Sequence, residues 1–195
     1  MGKIFYIMGK SASGKDRIYS LLEDQRELKL KTLVLYTTRP IRDGEENGKN
    51  YYFVSDEKLN EFRKNGNVIE ERSYHTVYGI WTYFTADDGQ ITPGKDRYLA
   101  IGTLESYRKM KEYFGENEVV PVYIQVEDGK RLERALNREK EQDNPKYAEL
   151  CRRFLADQED FSEDKIKDAG ITVRFENDDF DICVKHIINY VNSVS

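Results

Sequence analysis

The chain has 195 residues, of which 34% are charged, 38% apolar and 12% aromatic, and its net charge is −5. Aromatics at this level exclude a disordered composition, and the length suffices for one core with a small inserted lobe. The acidic balance argues against a general binder of nucleic acid or anionic membrane, so any cationic site must be local.

In chain order, strand signals fall at 4–8, 32–36, 50–54, 98–102, 119–126 and 171–175. Helical patterns fall at 15–25, 56–65, 103–114, 129–140, 146–160 and 179–192. Strands alternating with crossover helices predict an α/β fold with a parallel-sheet core flanked by helices. Pro121 is expected to open the strand that begins at Val119. The stretch from about 37 to 95 differs in style, with turn signals at Asp43-Gly44 and Asn47-Gly48, and reads as an insertion carrying a small antiparallel β-unit. The two cysteines, Cys151 and Cys183, have no metal or redox spacing and read as free thiols in a reducing cytoplasm. No run has transmembrane length, and no secretory leader is expected, because the first apolar run is short and feeds a loop.

That loop is Gly9-Lys10-Ser11-Ala12-Ser13-Gly14-Lys15-Asp16. A strand, a glycine-rich turn, a lysine and a helix in this order form a phosphate-binding loop. Gly9 and Gly14 let the backbone curl so that the N–H groups of Ser11, Ala12 and Ser13 face an anion. The helix N-terminus adds positive potential, and Lys15 supplies a charge for the β- and γ-phosphates of a nucleotide. The usual pattern ends in Ser or Thr, whose hydroxyl meets Mg²⁺. Asp16 stands there instead, with two readings: its carboxylate is a suitable hard ligand for the Mg²⁺ that accompanies ATP, the reading favoured because Gly14 and Lys15 are intact, or it repels phosphate and marks a weakened site.

Downstream, Thr37-Thr38-Arg39-Pro40-Ile41-Arg42 is followed by Gly44-Glu45 and by Asn47-Gly48-Lys49-Asn50-Tyr51-Tyr52-Phe53-Val54-Ser55. With Val68-Ile69-Glu70, Val77-Tyr78-Gly79 and Asn177-Asp178-Asp179, this pattern resembles the guanylate kinase family of P-loop nucleoside monophosphate kinases. Pro40 sits one place early, but both arginines keep the family spacing. The chemistry is coherent in its own right. A monophosphate dianion suits the planar forks of Arg39 and Arg42, and Tyr51 and Tyr78 can each donate a phenolic O–H to it. Glu70 can accept adjacent N–H groups from a purine edge.

The resemblance implies ATP-dependent phosphorylation of a nucleoside monophosphate, GMP first, in the cytoplasm, by a monomer or homodimer that binds neither nucleic acid nor membrane. It divides the chain into a core (1–36, 96–130 and 154–195), an acceptor-binding insertion (about 37–95) and an arginine-bearing helical lid (about 131–153). Arg138 and Arg153 match the family's catalytic arginines, beside Lys15, Arg39 and Arg42. Asn177 corresponds to a residue that touches the adenine of the donor. The chain departs from the family where Leu35 replaces a serine, and where Ala100 and Gly102 fall in a strand that carries two aspartates. Losing these polar readers predicts weaker selection of guanine. Two alternatives stay open: a kinase of the same fold with another phosphorylated acceptor, and a non-catalytic phosphoprotein-binding module on the same scaffold.

Overall fold

The computed structural model describes residues 2–76, 79–92 and 94–194. Five strands form one parallel sheet: β1 (Ile4–Met8), β2 (Leu30–Thr32), β7 (Arg97–Ile101), β8 (Val119–Gln125) and β9 (Arg174–Glu176). Their order is β2-β7-β1-β8-β9, with β1 at the centre. All of β1 is buried, as a central strand covered on both faces must be. The pleat splits it between two cores. Ile4, Tyr6 and Met8 pack with Ala100 and with Leu104, Tyr107 and Met110 of α3 (Leu104–Phe114). Phe5 and Ile7 pack with Ile18 and Leu22 of α1 (Lys15–Asp24) and with Ile187 and Val191 of α7 (Phe180–Ser193).

Pro121 does not open β8; it is the third residue, opposite Tyr6 of β1. Pairing with β9 starts only at Tyr123, so the proline stands where the far side of β8 lacks a partner strand.

The second sheet is made of β3 (Tyr36–Thr37), β4 (Tyr52–Phe53), β5 (Val68–Thr76) and β6 (Gly79–Ala86), in the order β4-β3-β6-β5. Its largest part is the antiparallel pair β5–β6, with an irregularity between Val68 and Glu70. The expectation of a purely antiparallel unit is corrected at one edge, since β3 and β4 run parallel. The strand expected at 32–36 is two strands. Leu33 still donates its N–H to the Leu99 carbonyl in the first sheet, whereas Tyr36 pairs with Phe84 in the second. Helix α2 (Asp56–Lys64) starts at Ser55, whose side chain accepts the Lys58 N–H, and it buries Leu59 against Tyr36, Phe84 and Ala86.

Two long charged helices follow β8: α4 (Asp128–Lys140) and α5 (Tyr147–Asp160). A short helix, α6 (Glu163–Asp168), was not anticipated, because its sequence carries a single apolar residue, Ile166, which is fully buried. Both cysteines are free; Cys151 is exposed, and burial pushes the Cys183 thiol up to about 11. No helix among the described residues is long and apolar enough to cross a membrane.

Candidate active site

The phosphate loop leaves β1 and enters α1 through residues whose backbone permits the curl. Gly14 has φ +86°, and Ala12 also takes a left-handed φ of 61°, a conformation that costs a non-glycine residue about 1 kcal/mol. A Cβ on Gly9 would collide with the Ile124 carbonyl and the Ser13 hydroxyl, and one on Gly14 with the Asn177 amide. Close packing therefore demands glycine at both positions, and at Gly14 the dihedral angle does so as well.

The loop is held by distant parts of the chain. The Ser11 N–H donates to Asp157 Oδ2 at 2.7 Å, and the Ser11 carbonyl accepts from Arg131 Nη1 at 2.8 Å. Arg153 Nη2 donates to the Ser11 hydroxyl at 3.1 Å. Arg131 is 1% exposed and also donates to Asp128 through Nε and Nη2. Its guanidinium lies 4.7 Å from the Phe154 ring centroid. Lys10 completes the cluster by pairing with Asp128 and Gln158. Burial would raise the Asp128 carboxyl, but hydrogen bonds from Gln158 and Arg131 and the charges of Lys10 and Arg131 hold it below its ordinary range.

Asn177 lies beneath the loop. It is buried, and its Nδ2 donates to the Ser13 carbonyl at 2.7 Å. Arg134 in turn donates to the Asn177 carbonyl at 2.9 Å. At the mouth of the loop, the Lys15 ammonium stands 3.3 Å from Asp16 Oδ2, whose side chain is 83% exposed. Among the described residues no group of three or more His, Cys, Asp or Glu side chains could cage a metal. One exposed carboxylate beside a phosphate loop still fits Mg²⁺ that arrives on a nucleotide, because Mg²⁺ keeps several waters and takes few protein ligands.

Arg138 and Arg153, expected to act together, do line one cleft of about 150 Å³ with Ser11, Arg131 and Phe154. Arg152 faces away from that role, paired with Glu149 on the surface.

On the acceptor side, Arg39 is 3% exposed and already paired. It forms a two-pronged contact with Glu45, Nη2 to Oε1 at 2.7 Å and Nη1 to Oε2 at 3.0 Å. It also donates to the Pro40 carbonyl and, through Nε, to the Tyr83 hydroxyl at 3.0 Å. The Arg39 hydrogen bonds, and then the Arg42 backbone N–H, hold the Glu45 carboxyl below its ordinary range. Arg42 is exposed, with its backbone N–H on Glu45. Tyr51 is half-buried; its ring lies 5.6 Å from that of Tyr83 and 5.9 Å from the Arg39 guanidinium. Burial, then the Tyr83 phenol, raises the Tyr51 hydroxyl above its ordinary range. Glu70 is buried among Thr85, Ser106 and Arg72. Tyr78 lies outside the described residues.

So Arg39, Tyr51 and Tyr83 form one cluster, and Glu70 with Arg72 lies on the same sheet. Sequence reasoning missed Tyr83, Arg72, Ser106, Arg131 and Asp157. Arg131 follows Asp128 at i,i+3 on a helix, a signal for pairing; nothing in sequence ties Asp157 to Ser11.

A parallel sheet with a phosphate loop leaving its central strand and a helical arm packed onto that loop defines a P-loop kinase. A family model described as guanylate kinase matches residues 1–194, and the chain belongs to the guanylate kinase family. It is a nucleoside monophosphate kinase by that membership. Relatives include the guanylate kinase of Malacoplasma penetrans, 32% identical over 138 residues, which cover 71% of this chain and 58% of that relative. The guanylate kinase of Wolbachia pipientis wMel is 29% identical over 195 residues, covering 98% of this chain and 90% of the relative. A crystal structure of guanylate kinase from Anaplasma phagocytophilum superposes with a TM-score of 0.62 at 21% identity, covering 98% of this chain and 85% of that one. At that identity the likeness speaks for the fold.

Proposed function

We propose that the protein transfers the γ-phosphoryl group of ATP to the 5′-phosphate of a nucleoside monophosphate, with GMP the first acceptor to test, giving GDP and ADP. The observation that carries this reading is the placement of Lys15 at the mouth of a phosphate loop, with Arg138 and Arg153 on one cleft beside Ser11. Phosphoryl transfer needs little covalent help from protein. It needs donor and acceptor oxygens held in line with their charge neutralised.

In this reading the Lys15 ammonium and the loop amides other than those of Ser11 and Ser13 bind the donor phosphates, because, against the expectation from sequence, the Ser11 N–H is taken by Asp157 and the Ser13 N–H by the Lys10 carbonyl. Arg138 and Arg153 close over the γ-phosphate and exclude water, so that the acceptor phosphate is the nucleophile. Asn177 serves the donor site by fixing the Ser13 carbonyl. Asp16 would hold Mg²⁺, which neutralises charge on the donor phosphates when bound. Arg42, with one remaining Arg39 N–H and the Tyr51 and Tyr83 hydroxyls, would bind the acceptor phosphate. Glu70 would meet the base. The resting pair Arg39–Glu45 keeps the guanidinium oriented before the acceptor arrives, so less ordering entropy is lost on binding.

A coupled assay of ADP release across GMP, dGMP, IMP, AMP and UMP tests the proposal. Acceptor-dependent ADP release with GMP among the better acceptors is expected. ATP hydrolysis that no monophosphate accelerates would overturn it.

A further inference from the structure

The mouth of the phosphate loop carries an unusual charge balance. Lys15 would offer its positive charge to a donor phosphate, but the Asp16 carboxylate stands 3.3 Å from the ammonium and offsets it. A serine or threonine at that place would offset nothing. Two further cations at the loop are also paired with acids: Lys10 with Asp128, and Arg131 with Asp128 and Asp157. Arg17, one residue beyond Asp16, differs from all of these. It is exposed in the first turn of α1, and among the described residues its guanidinium has no carboxylate partner.

Arg17 is nonetheless held in place. Its guanidinium carbon lies 3.8 Å from the centroid of the Phe180 ring, a distance at which cation and ring are in contact. Phe180 is the first residue of α7 and is itself packed against the core shared with α1. The two acids just before it are taken, Asp178 by Lys130 at 2.6 Å and Asp179 by the Ile182 N–H at 3.0 Å. Arg17 is thus fixed by a ring and not by a counter-charge, and its N–H groups stay free. The same turn of helix is open. The first hydrogen bond of α1 runs from the Ile18 N–H to the Gly14 carbonyl at 3.0 Å, so the N–H groups before it have no partner inside the helix. Asn177, which precedes this ring in the chain, ties the region to the loop through the Ser13 carbonyl.

We propose that Arg17 binds the donor phosphate nearest the sugar and so replaces the charge that Asp16 takes from Lys15, with Phe180 as the residue that positions its guanidinium. Arg138 and Arg153 line the cleft beside Ser11, at the start of the loop, whereas Arg17 stands past its end. The first pair suits the γ-phosphate, so the place of Arg17 suits the opposite end of the triphosphate chain. A planar guanidinium held on one face by a ring keeps its N–H edge available for a two-pronged contact with phosphate oxygens. This inference rests on the donor-site reading given above.

The test is calorimetric binding of ATP and ADP in buffer with EDTA, so that Asp16 faces the phosphates with no metal ion between them, and KM for ATP and for GMP in Mg²⁺. Arg17→Gln, an exposed substitution that should fold, is expected to raise the Kd of ATP and of ADP by about tenfold each, the worth of one charged hydrogen bond. The KM for ATP should rise with it and the KM for GMP should not. Adding Asp16→Ser to Arg17→Gln should recover most of the lost binding, because Lys15 is then released. Phe180→Leu keeps an apolar side chain but removes the ring face, and should weaken both nucleotides by about threefold, while Phe180→Tyr should bind like wild type. Wild-type binding by Arg17→Gln overturns the proposal, and so does a loss for ATP that ADP does not share, which would put Arg17 on the γ-phosphate. A double variant no better than Arg17→Gln overturns the exchange of charge with Asp16, and wild-type binding by Phe180→Leu overturns the positioning role. Binding that follows the expected pattern without transfer to any acceptor would count against the proposed function alone. A wild type that binds neither ATP nor ADP overturns the two together.

Discussion

The phosphate loop and the acceptor sheet are pre-organised in opposite ways. Ser11 is gripped by Asp157, Arg131 and Arg153, and Ser13 by Asn177, all more than a hundred residues away in sequence. In the acceptor sheet the residues that would meet the ligand are paired with one another: Arg39 with Glu45 six residues on, and Glu70 with Arg72 two residues on. A loop held from behind keeps its remaining amides in place, although the Ser11 N–H can reach an anion only by giving up Asp157. A site whose cation and anion already face each other must share or exchange partners when the ligand enters. Substitutions should therefore act through geometry on the donor side and through charge pairing on the acceptor side.

The sharpest break in that comparison comes at the loop itself. Lys15→Ala removes a ligand group and no packing, so kcat should fall about a hundredfold or more while thermal stability stays near wild type. A folded Lys15→Ala protein with normal turnover would falsify the donor-site assignment. Next comes the support. Arg131 is 1% exposed and sits between two carboxylates and a carbonyl. Arg131→Ala strands Asp157 in a partly buried place, and removing one member of a buried charge cluster costs about 3 kcal/mol. Denaturant melts should show that loss, and the KM for ATP should rise even though Arg131 is not placed on the nucleotide. If stability drops and the KM for ATP does not move, the cluster serves the fold but not the loop.

What could be read from sequence follows the same division. Gly9, Gly14 and Lys15 are legible because backbone curl and anion chemistry require those residue types at that local spacing. Arg138 and Arg153 were legible through family resemblance, and the structure does bring them to one cleft. The partners of the loop were not legible, because Asp157 is one acid among many on a charged helix and only the tertiary fold selects it. On the acceptor side, Arg39 was legible as a residue but not as a state. Nothing in its spacing says that its prongs are occupied by Glu45. The antiparallel pair β5–β6 was missed as two strands because Glu70, Glu71 and Arg72 interrupt its apolar alternation; Glu70 is buried beside Arg72 at the candidate base pocket, whereas Glu71 turns outward to Arg63.

Arg42 sharpens the acceptor half of the comparison. Unlike Arg39 it is exposed, and its guanidinium is not tied into the Glu45 pair. Arg42→Ala should raise the acceptor KM by about tenfold, the worth of one charged hydrogen bond, with little change in melting temperature or in the KM for ATP. Arg39→Ala should also lower stability, because it strips Glu45 of its partner. Equal stability losses in the two variants would mean that the buried Arg39 pair holds the fold no more than the exposed Arg42 side chain does.

The smallest expected effect is a pH dependence of the loop support. Asp128 accepts from Arg131, Gln158 and Lys10, and despite the opposing cost of its burial its carboxyl titrates below the ordinary range. A group whose folded pKa is depressed stabilises the fold fully above its unfolded value, near pH 4 for aspartate. That contribution is lost as pH falls through the lower folded value. The support should therefore be intact at neutral pH and weaken only in acid below about pH 4. Because Asp128 is partly exposed, solvent screens the interaction and the change should be modest. Asp128→Asn should flatten this part of the acid stability curve and leave the neutral-to-alkaline part parallel to wild type. Urea melts of both proteins between about pH 3 and 7 measure it. If the two curves stay parallel throughout the acid range, the Asp128 carboxylate contributes nothing to holding Arg131 against the loop, and the support reduces to Asp157 alone.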